Sequence, residues 1–96
     1  MSTRRPRYRY IAFRVDGPRT FSYDEVLSAL RAEPGRPWLV GFRGSLGLAR
    51  ATNFSKELAI QALRGITTIA GERVSVTTLG TSGTIRRATA KYLRRA

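Results

Sequence analysis

The stretch Gly80-Thr81-Ser82-Gly83-Thr84-Ile85-Arg86-Arg87 holds the residues best suited to act together on a ligand. Its two glycines permit positive φ and close backbone approach, and its three hydroxyl side chains offer donors and helix caps. A helix starting there would turn free N–H groups toward an anion, with Arg86 and Arg87 adding charge. The chemistry predicted is the holding of a phosphate. A plain strand-to-helix turn with a hydroxyl cap would use the same residues, and that reading stands beside it. The stretch lacks the Gly-Lys-(Ser/Thr) ending of a nucleotide-binding P-loop.

Other chemistries lack their residues. The chain has no Cys, so it offers no disulfide, thiol nucleophile or zinc knuckle. It has no His, which removes the usual general base and the commonest metal ligand. Asp16, Asp24, Glu25, Glu33, Glu57 and Glu72 are scattered and form no paired or metal-spaced set. An enzyme acting alone is not expected, and neither is a bound cofactor or metal.

The charge points to a polyanion. Eighteen basic residues, mostly Arg, against six acids leave a net +12 on 96 residues. Residues 1–14 carry Arg4, Arg5, Arg7, Arg9 and Arg14, and residues 82–96 carry Arg86, Arg87, Lys91, Arg94 and Arg95, with no acid in either. A near-neutral centre therefore joins two basic ends. A solubilising tail would be served equally well by Lys and Glu, whereas Arg favours bidentate phosphate contact and stacking. High genomic GC content or a hot habitat would also raise Arg.

The elements that must position these residues follow from local patterns. Tyr8 to Val15 alternates, with Ile11, Phe13 and Val15 on one face and Tyr8, Tyr10, Ala12 and Arg14 on the other. Ser22 and Glu25 form a capping box, Phe21 and Val26 a hydrophobic staple, and Val26, Leu27 and Leu30 a helical stripe that Glu33-Pro34-Gly35 ends. Trp38–Arg43 and Leu46–Thr52 read as a hairpin around Gly44-Ser45 in a type II′ turn. That register puts Trp38, Val40, Phe42, Ala49 and Ala51 in the core and Leu39 outside, unless a bulge shifts it. A second helix starts near Asn53 or Ser55, buries Leu58, Ala59, Ala62, Leu63 and Ile66, and stops at Gly71. Arg73–Leu79 is a last strand, Gly80–Gly83 a loop, and Thr84 to about Arg95 a basic helix.

The order βαββαβ predicts an α+β fold, a ferredoxin-like or RRM-like sandwich. Its four-stranded antiparallel sheet carries two helices on one face, and a basic C-terminal helix is appended. Residues 7–96 would form one RNA-binding domain behind a flexible basic arm, residues 1–6. The other sheet face would show Tyr8, Tyr10, Arg14, Arg43, Arg50 and Arg73, aromatics among arginines as single-stranded or irregular RNA requires. Cover by the third helix or by a protein partner is the alternative. The third strand, Gly47-Leu48-Ala49-Arg50-Ala51, lacks the aromatic RNP1 pattern of sequence-reading RRM domains.

Leu79-Gly80-Thr81-Ser82-Gly83-Thr84-Ile85-Arg86-Arg87, followed by Lys91-Tyr92, resembles the Gly-x-Ser-Gly-Thr-Ile-(Arg/Lys) signature and basic helix of ribonuclease P protein component 2. This is the small subunit shared by archaeal and eukaryotic ribonuclease P. Arg9-Tyr10-Ile11-Ala12-Phe13 is similar to that family's first strand, and Gly44-Ser45-Leu46-Gly47 sits where its glycine-containing hairpin does. The resemblance implies an RRM-like subunit of a tRNA-processing endonuclease, a ribonucleoprotein hydrolase whose RNA cuts precursor tRNA at the 5′ end with Mg²⁺. It also implies a TIM-barrel-like partner, protein component 3. Ser82, Gly83 and Thr84 would then contact phosphate, with Arg86, Arg87 and Lys91 as charge partners. Arg4, Arg5, Arg7 and Arg9 would form a second basic arm and Tyr8 and Tyr10 stacking groups. Arg43, Arg50, Arg94 and Arg95 complete the candidate RNA-binding set.

A membrane-surface role for the terminal helix is set aside, since its weak stripe of Ile85, Ala88, Tyr92 and Leu93 suits packing on the sheet, and two other rivals remain. One is a basic RNA-binding protein of another particle, such as the ribosome. The other is an acylphosphatase-like enzyme with Arg19 and Asn53 in the working roles, although the Gln-Gly-Val-x-Phe-Arg stretch of those enzymes is absent. No membrane role is expected. The apolar run Tyr10–Phe13 stops at Arg14 and Trp38–Phe42 is far too short to span a bilayer, so a cytoplasmic protein is the default.

Overall fold

The computed structural model describes residues 7–93. Within them the chain forms β1 (Tyr8–Asp16), α1 (Tyr23–Arg31), β2 (Trp38–Arg43), β3 (Leu46–Thr52) and α2 (Lys56–Arg64). The short strands β4 (Thr68–Ile69) and β5 (Glu72–Arg73) follow, then β6 (Ser75–Ser82) and α3 (Ile85–Ala88), which continues as a π-helical turn, Thr89–Leu93. The main sheet is antiparallel in the order β2-β3-β1-β6, the ferredoxin-like order anticipated from the sequence.

The principal core lies between the sheet and the first two helices. Ile11, Phe13 and Val15 of β1 meet Val26 and Leu30 of α1 and Ala59 and Leu63 of α2, all buried. The capping box forms as read: Ser22 Oγ accepts from the Glu25 N–H at 3.2 Å and Glu25 Oε1 accepts from the Ser22 N–H at 2.9 Å. The β2–β3 turn has Gly44 at φ +65° and Ser45 outside the positive-φ region, as a type II′ turn requires. Gly47 has a different reason to be glycine: a Cβ there would overlap the ring of fully buried Phe13.

The hairpin register corrects the expectation for β2. Phe42 is opposite Gly47 and Gly41 opposite Leu48, as that register requires, but Leu39 rather than Val40 is opposite Ala49, so Val40 is an extra residue in a bulge. One extra residue inverts every side chain upstream of it. Leu39 enters the core and Trp38 leaves it, 67% exposed, while Val40 packs on the other face of the sheet.

Two corrections concern α2. Leu58 is exposed and sits beside Gly35 of the preceding loop, so the buried stripe is Ala59, Ala62 and Leu63, with Ile66 beyond it. The helix ends at Gly65, not Gly71, because a glycine followed by the β-branched run Ile66-Thr67-Thr68-Ile69 favours extended chain. Ala70 and Gly71, at φ +53° and +79°, then turn the β4–β5 hairpin. Arg73 belongs to that hairpin and not to the main sheet.

The other face of the sheet is half covered. Ala12 and Leu48 are buried there under Ala88, with Tyr10, Val40, Leu79, Tyr92 and Leu93 packed around them. The third helix is thus the cover over the centre of this face.

Candidate nucleic-acid interface

The segment read as a glycine-rich loop is largely strand. Gly80, Thr81 and Ser82 pair with Ala12, Ile11 and Tyr10 of β1, and the extra residue Leu79 bulges between Gly80 and Thr78. Neither Gly80 nor Gly83 takes positive φ. Gly80 is small for another reason: a Cβ on it would collide with the hydroxyl end of the Tyr92 side chain, which lies across the strand. The chain leaves the sheet at Gly83, and Thr84 caps α3, its Oγ1 accepting from the Arg87 N–H at 3.1 Å.

This path creates an open depression of about 540 Å³ lined by Thr81, Ser82, Gly83, Arg87, Ala90 and Lys91. From the β1 side, the Arg9 guanidinium comes within 4.0 Å of the space beside the Gly83 Cα that a Cβ would fill. Arg86, on the first turn of α3, is exposed next to Arg87. The depression thus gathers hydroxyl groups, strand-end backbone and cations from two elements, and none of its lining residues is acidic. An oxyanion is the ligand this chemistry accepts.

Acids gather at the opposite end of β1. Arg14 Nε donates to Asp16 at 3.0 Å. Arg19 is bound by Glu25 at 2.8 Å and by Glu72, its guanidinium 4.4 Å over the Phe21 ring. These contacts hold Glu25 down at about 2, through the Arg19 hydrogen bond first and the Ser22 N–H second, and raise Arg19. Arg19 is therefore spent on an ion-pair cluster. Asn53 lies beyond the other end of β1, where its Oδ1 accepts from the Arg7 N–H at 2.9 Å. The nine residues of β1 hold those ends roughly 27 Å apart, so the acylphosphatase pairing of Arg19 with Asn53 does not form. Among the described residues no cluster of three acids could hold a metal ion.

The remaining site residues fall into three groups. Tyr8 and Arg50 lie together on the uncovered part of the sheet, the guanidinium 4.3 Å over the tyrosine ring and 5.9 Å from that of Trp38. Tyr10 is opposite Arg50, in the row next to Tyr8, but is half-buried against the C-terminal segment. Arg43 is apart: it is opposite Leu46, itself opposite Arg14, six residues along β1 from Tyr8, or about 20 Å. Arg7 is exposed at the start of β1, its backbone tied to Asn53. Arg4, Arg5, Arg94 and Arg95 lie outside the described residues. Sequence reasoning missed Trp38; the one local signal was Gly41, since a glycine inside a strand often marks a bulge.

Relatives place the same chain in a family. Ribonuclease P protein component 2 of Thermococcus kodakarensis is 36% identical over 104 aligned positions, covering 95% of this chain and 87% of the relative. The protein of the same name from Thermococcus gammatolerans is 35% identical over the same coverage. That of Methanosarcina barkeri is 34% identical over 73 positions, 76% of this chain and 54% of the relative. The model of the Rpp14/Pop5 family matches residues 19–93, a span that takes in both helices of the core, the β2–β3 hairpin and the Ser82–Lys91 segment. With the ferredoxin-like strand order and the acid-free depression at the end of β6, these matches establish that the chain belongs to the Rpp14/Pop5 family.

Proposed function

We infer that this chain is a protein subunit of ribonuclease P. It assists the catalytic RNA in freeing the 5′ end of precursor tRNA and does not itself catalyse. The observation that carries the reading is the convergence of Arg9, Arg87 and Lys91 on the Ser82–Gly83 corner with no acid among the lining residues. Family membership supplies the kind of particle.

The physical role is charge neutralisation at a defined place. An RNA fold and its tRNA substrate are both polyanions, and their approach is opposed by repulsion that bound cations offset. Arg9, Arg86, Arg87 and Lys91 would neutralise phosphates, while the strand-end hydroxyls Thr81 and Ser82 orient one of them. Mg²⁺ in this reading is held by the RNA. Among the described residues no three carboxylates group as a metal site, and Asp16, Glu25 and Glu72 already have arginine partners. A protein partner, ribonuclease P protein component 3, belongs to the same proposal. Action on precursor tRNA as part of a cytoplasmic ribonucleoprotein completes the proposal.

The test is the salt dependence of binding to ribonuclease P RNA, followed by fluorescence titration at several ionic strengths. Each phosphate contact adds about 0.7–0.9 to the log–log slope. Arg86→Ala with Arg87→Ala should weaken binding and flatten that slope by about 1.4–1.8 units. An unchanged slope would remove the phosphate role from this corner.

A further inference from the structure

One transverse row of the sheet runs from the depression to the exposed tryptophan. Ser82 of β6 is opposite Tyr10 of β1, Tyr10 is opposite Arg50 of β3, and Arg50 is opposite Trp38 of β2. Three strand spacings put Trp38 about 14 Å from Ser82. The C-terminal segment covers the neighbouring row, Ala12 and Leu48, and leaves the Trp38 end open.

We propose that this row is a track for an unpaired RNA strand, with a phosphate at the Ser82–Arg87 corner and a nucleobase stacked on Trp38. The proposal rests on the RNA reading above and narrows it, from polyanion to single strand.

Three observations favour this occupant. Trp38 is an edge-strand residue that the Val40 bulge turns outward, leaving a large ring 67% exposed. Beside it stands Arg50, seated on Tyr8 and, among the described residues, in no ion pair, so its cation is available to a phosphate or a base edge. No residue of the row, nor Tyr8 or Arg9 beside it, is acidic. An aromatic face next to an unpaired arginine is what an unstacked base and its phosphate require, and a four-stranded sheet of this kind accommodates about two or three bases. A duplex offers phosphates to the depression, but its bases are stacked on each other and cannot cover Trp38. Tyr8 acts as the seat for Arg50, so Trp38 is the stacking group.

Trp38 is the chain's single tryptophan, so its fluorescence reports this face alone. The full chain would be titrated with short oligoadenylate, with a blunt RNA duplex of equal length, and with the component-3 protein. Oligoadenylate is expected to quench Trp38, whereas the duplex binds without quenching. Trp38→Ala should weaken oligoadenylate about 5- to 150-fold, the range for losing one base–aromatic stack, and leave duplex binding within twofold. Trp38→Phe should recover part of the loss, and Arg50→Gln should weaken the oligomer in a protein whose melting is unchanged. The track is overturned if oligoadenylate binds with Trp38 unquenched and with equal affinity for Trp38→Ala; the wider RNA reading then stands. Quenching by component 3 alone would overturn it in favour of a protein interface. Failure of both RNAs to bind at any salt would remove the RNA reading itself.

Discussion

Replacing Gly80 with alanine adds one methyl group at a point already filled by the hydroxyl end of the Tyr92 side chain. The strand is held in place, because Gly80 of the edge strand β6 is paired with Ala12 of the inner strand β1. The ring can move, because Tyr92 lies on a C-terminal turn whose Thr89, Ala90 and Lys91 are exposed. Overpacking of this kind costs about 1–3 kcal/mol, and the molecule relieves it by releasing residues 85–93 from the sheet. The same range raises the detached population about 5- to 150-fold. Trypsin cleaves after arginine and lysine, so cleavage at Arg86, Arg87 and Lys91 should accelerate by that factor when opening is faster than cutting. RNA affinity should fall as well, since the depression loses its Ala90 and Lys91 wall although no charge has changed. Gly47→Ala provides the contrast. Its methyl group would meet the ring of Phe13, which is fully buried and has nowhere to go. That clash approaches the loss of a buried phenylalanine, about 3–5 kcal/mol, and should lower the melting temperature of the whole domain. Unchanged tryptic cleavage in Gly80→Ala, or a wild-type melt in Gly47→Ala, would refute the packing argument.

Further outcomes follow from the acid–base cluster and the β4–β5 turn. Glu25 is held at about 2 against an ordinary 4.5, so its contribution is complete above 4.5 and is lost as the pH falls toward 2. Melting followed from neutral pH downward should therefore decline in that window, and Arg19→Gln should flatten the decline; an identical profile in the variant would exclude the cluster. Ala70, at φ +53°, occupies a region that disfavours alanine. Ala70→Asn should stabilise by up to about 1 kcal/mol, or about 4–8 °C in melting temperature, and a lowered melting temperature would contradict the turn assignment.

The sequence was most informative where the determinants are local. The capping box of Ser22 with Glu25, the Gly44-Ser45 turn and the alternation of β1 each reside in a few consecutive residues, and each forms. Where the determinants lie between distant segments, the pattern misled. Trp38 and Val40 alternate as a core face, yet a bulge that matches β2 to β3 while seating Leu39 against the helices inverts them. Gly80 read as a conformationally free loop residue, but it is small because Tyr92, twelve positions later, crosses it. Arg9 and Arg87 are seventy-eight positions apart, and only the antiparallel pairing of β1 with β6 brings their ends to one corner. The basic ends were visible as composition; their meeting place depended on the sheet.

The central claim is that this chain acts through an RNA that performs the chemistry. The most direct test is cleavage of precursor tRNA at its 5′ end by the cognate ribonuclease P RNA with component 3, at limiting Mg²⁺, with and without this protein. The account predicts cleavage that depends on the protein, is reduced by Arg86→Ala with Arg87→Ala, and is restored in the variant by raising Mg²⁺. Cleavage indifferent to the protein at every Mg²⁺ concentration would contradict it.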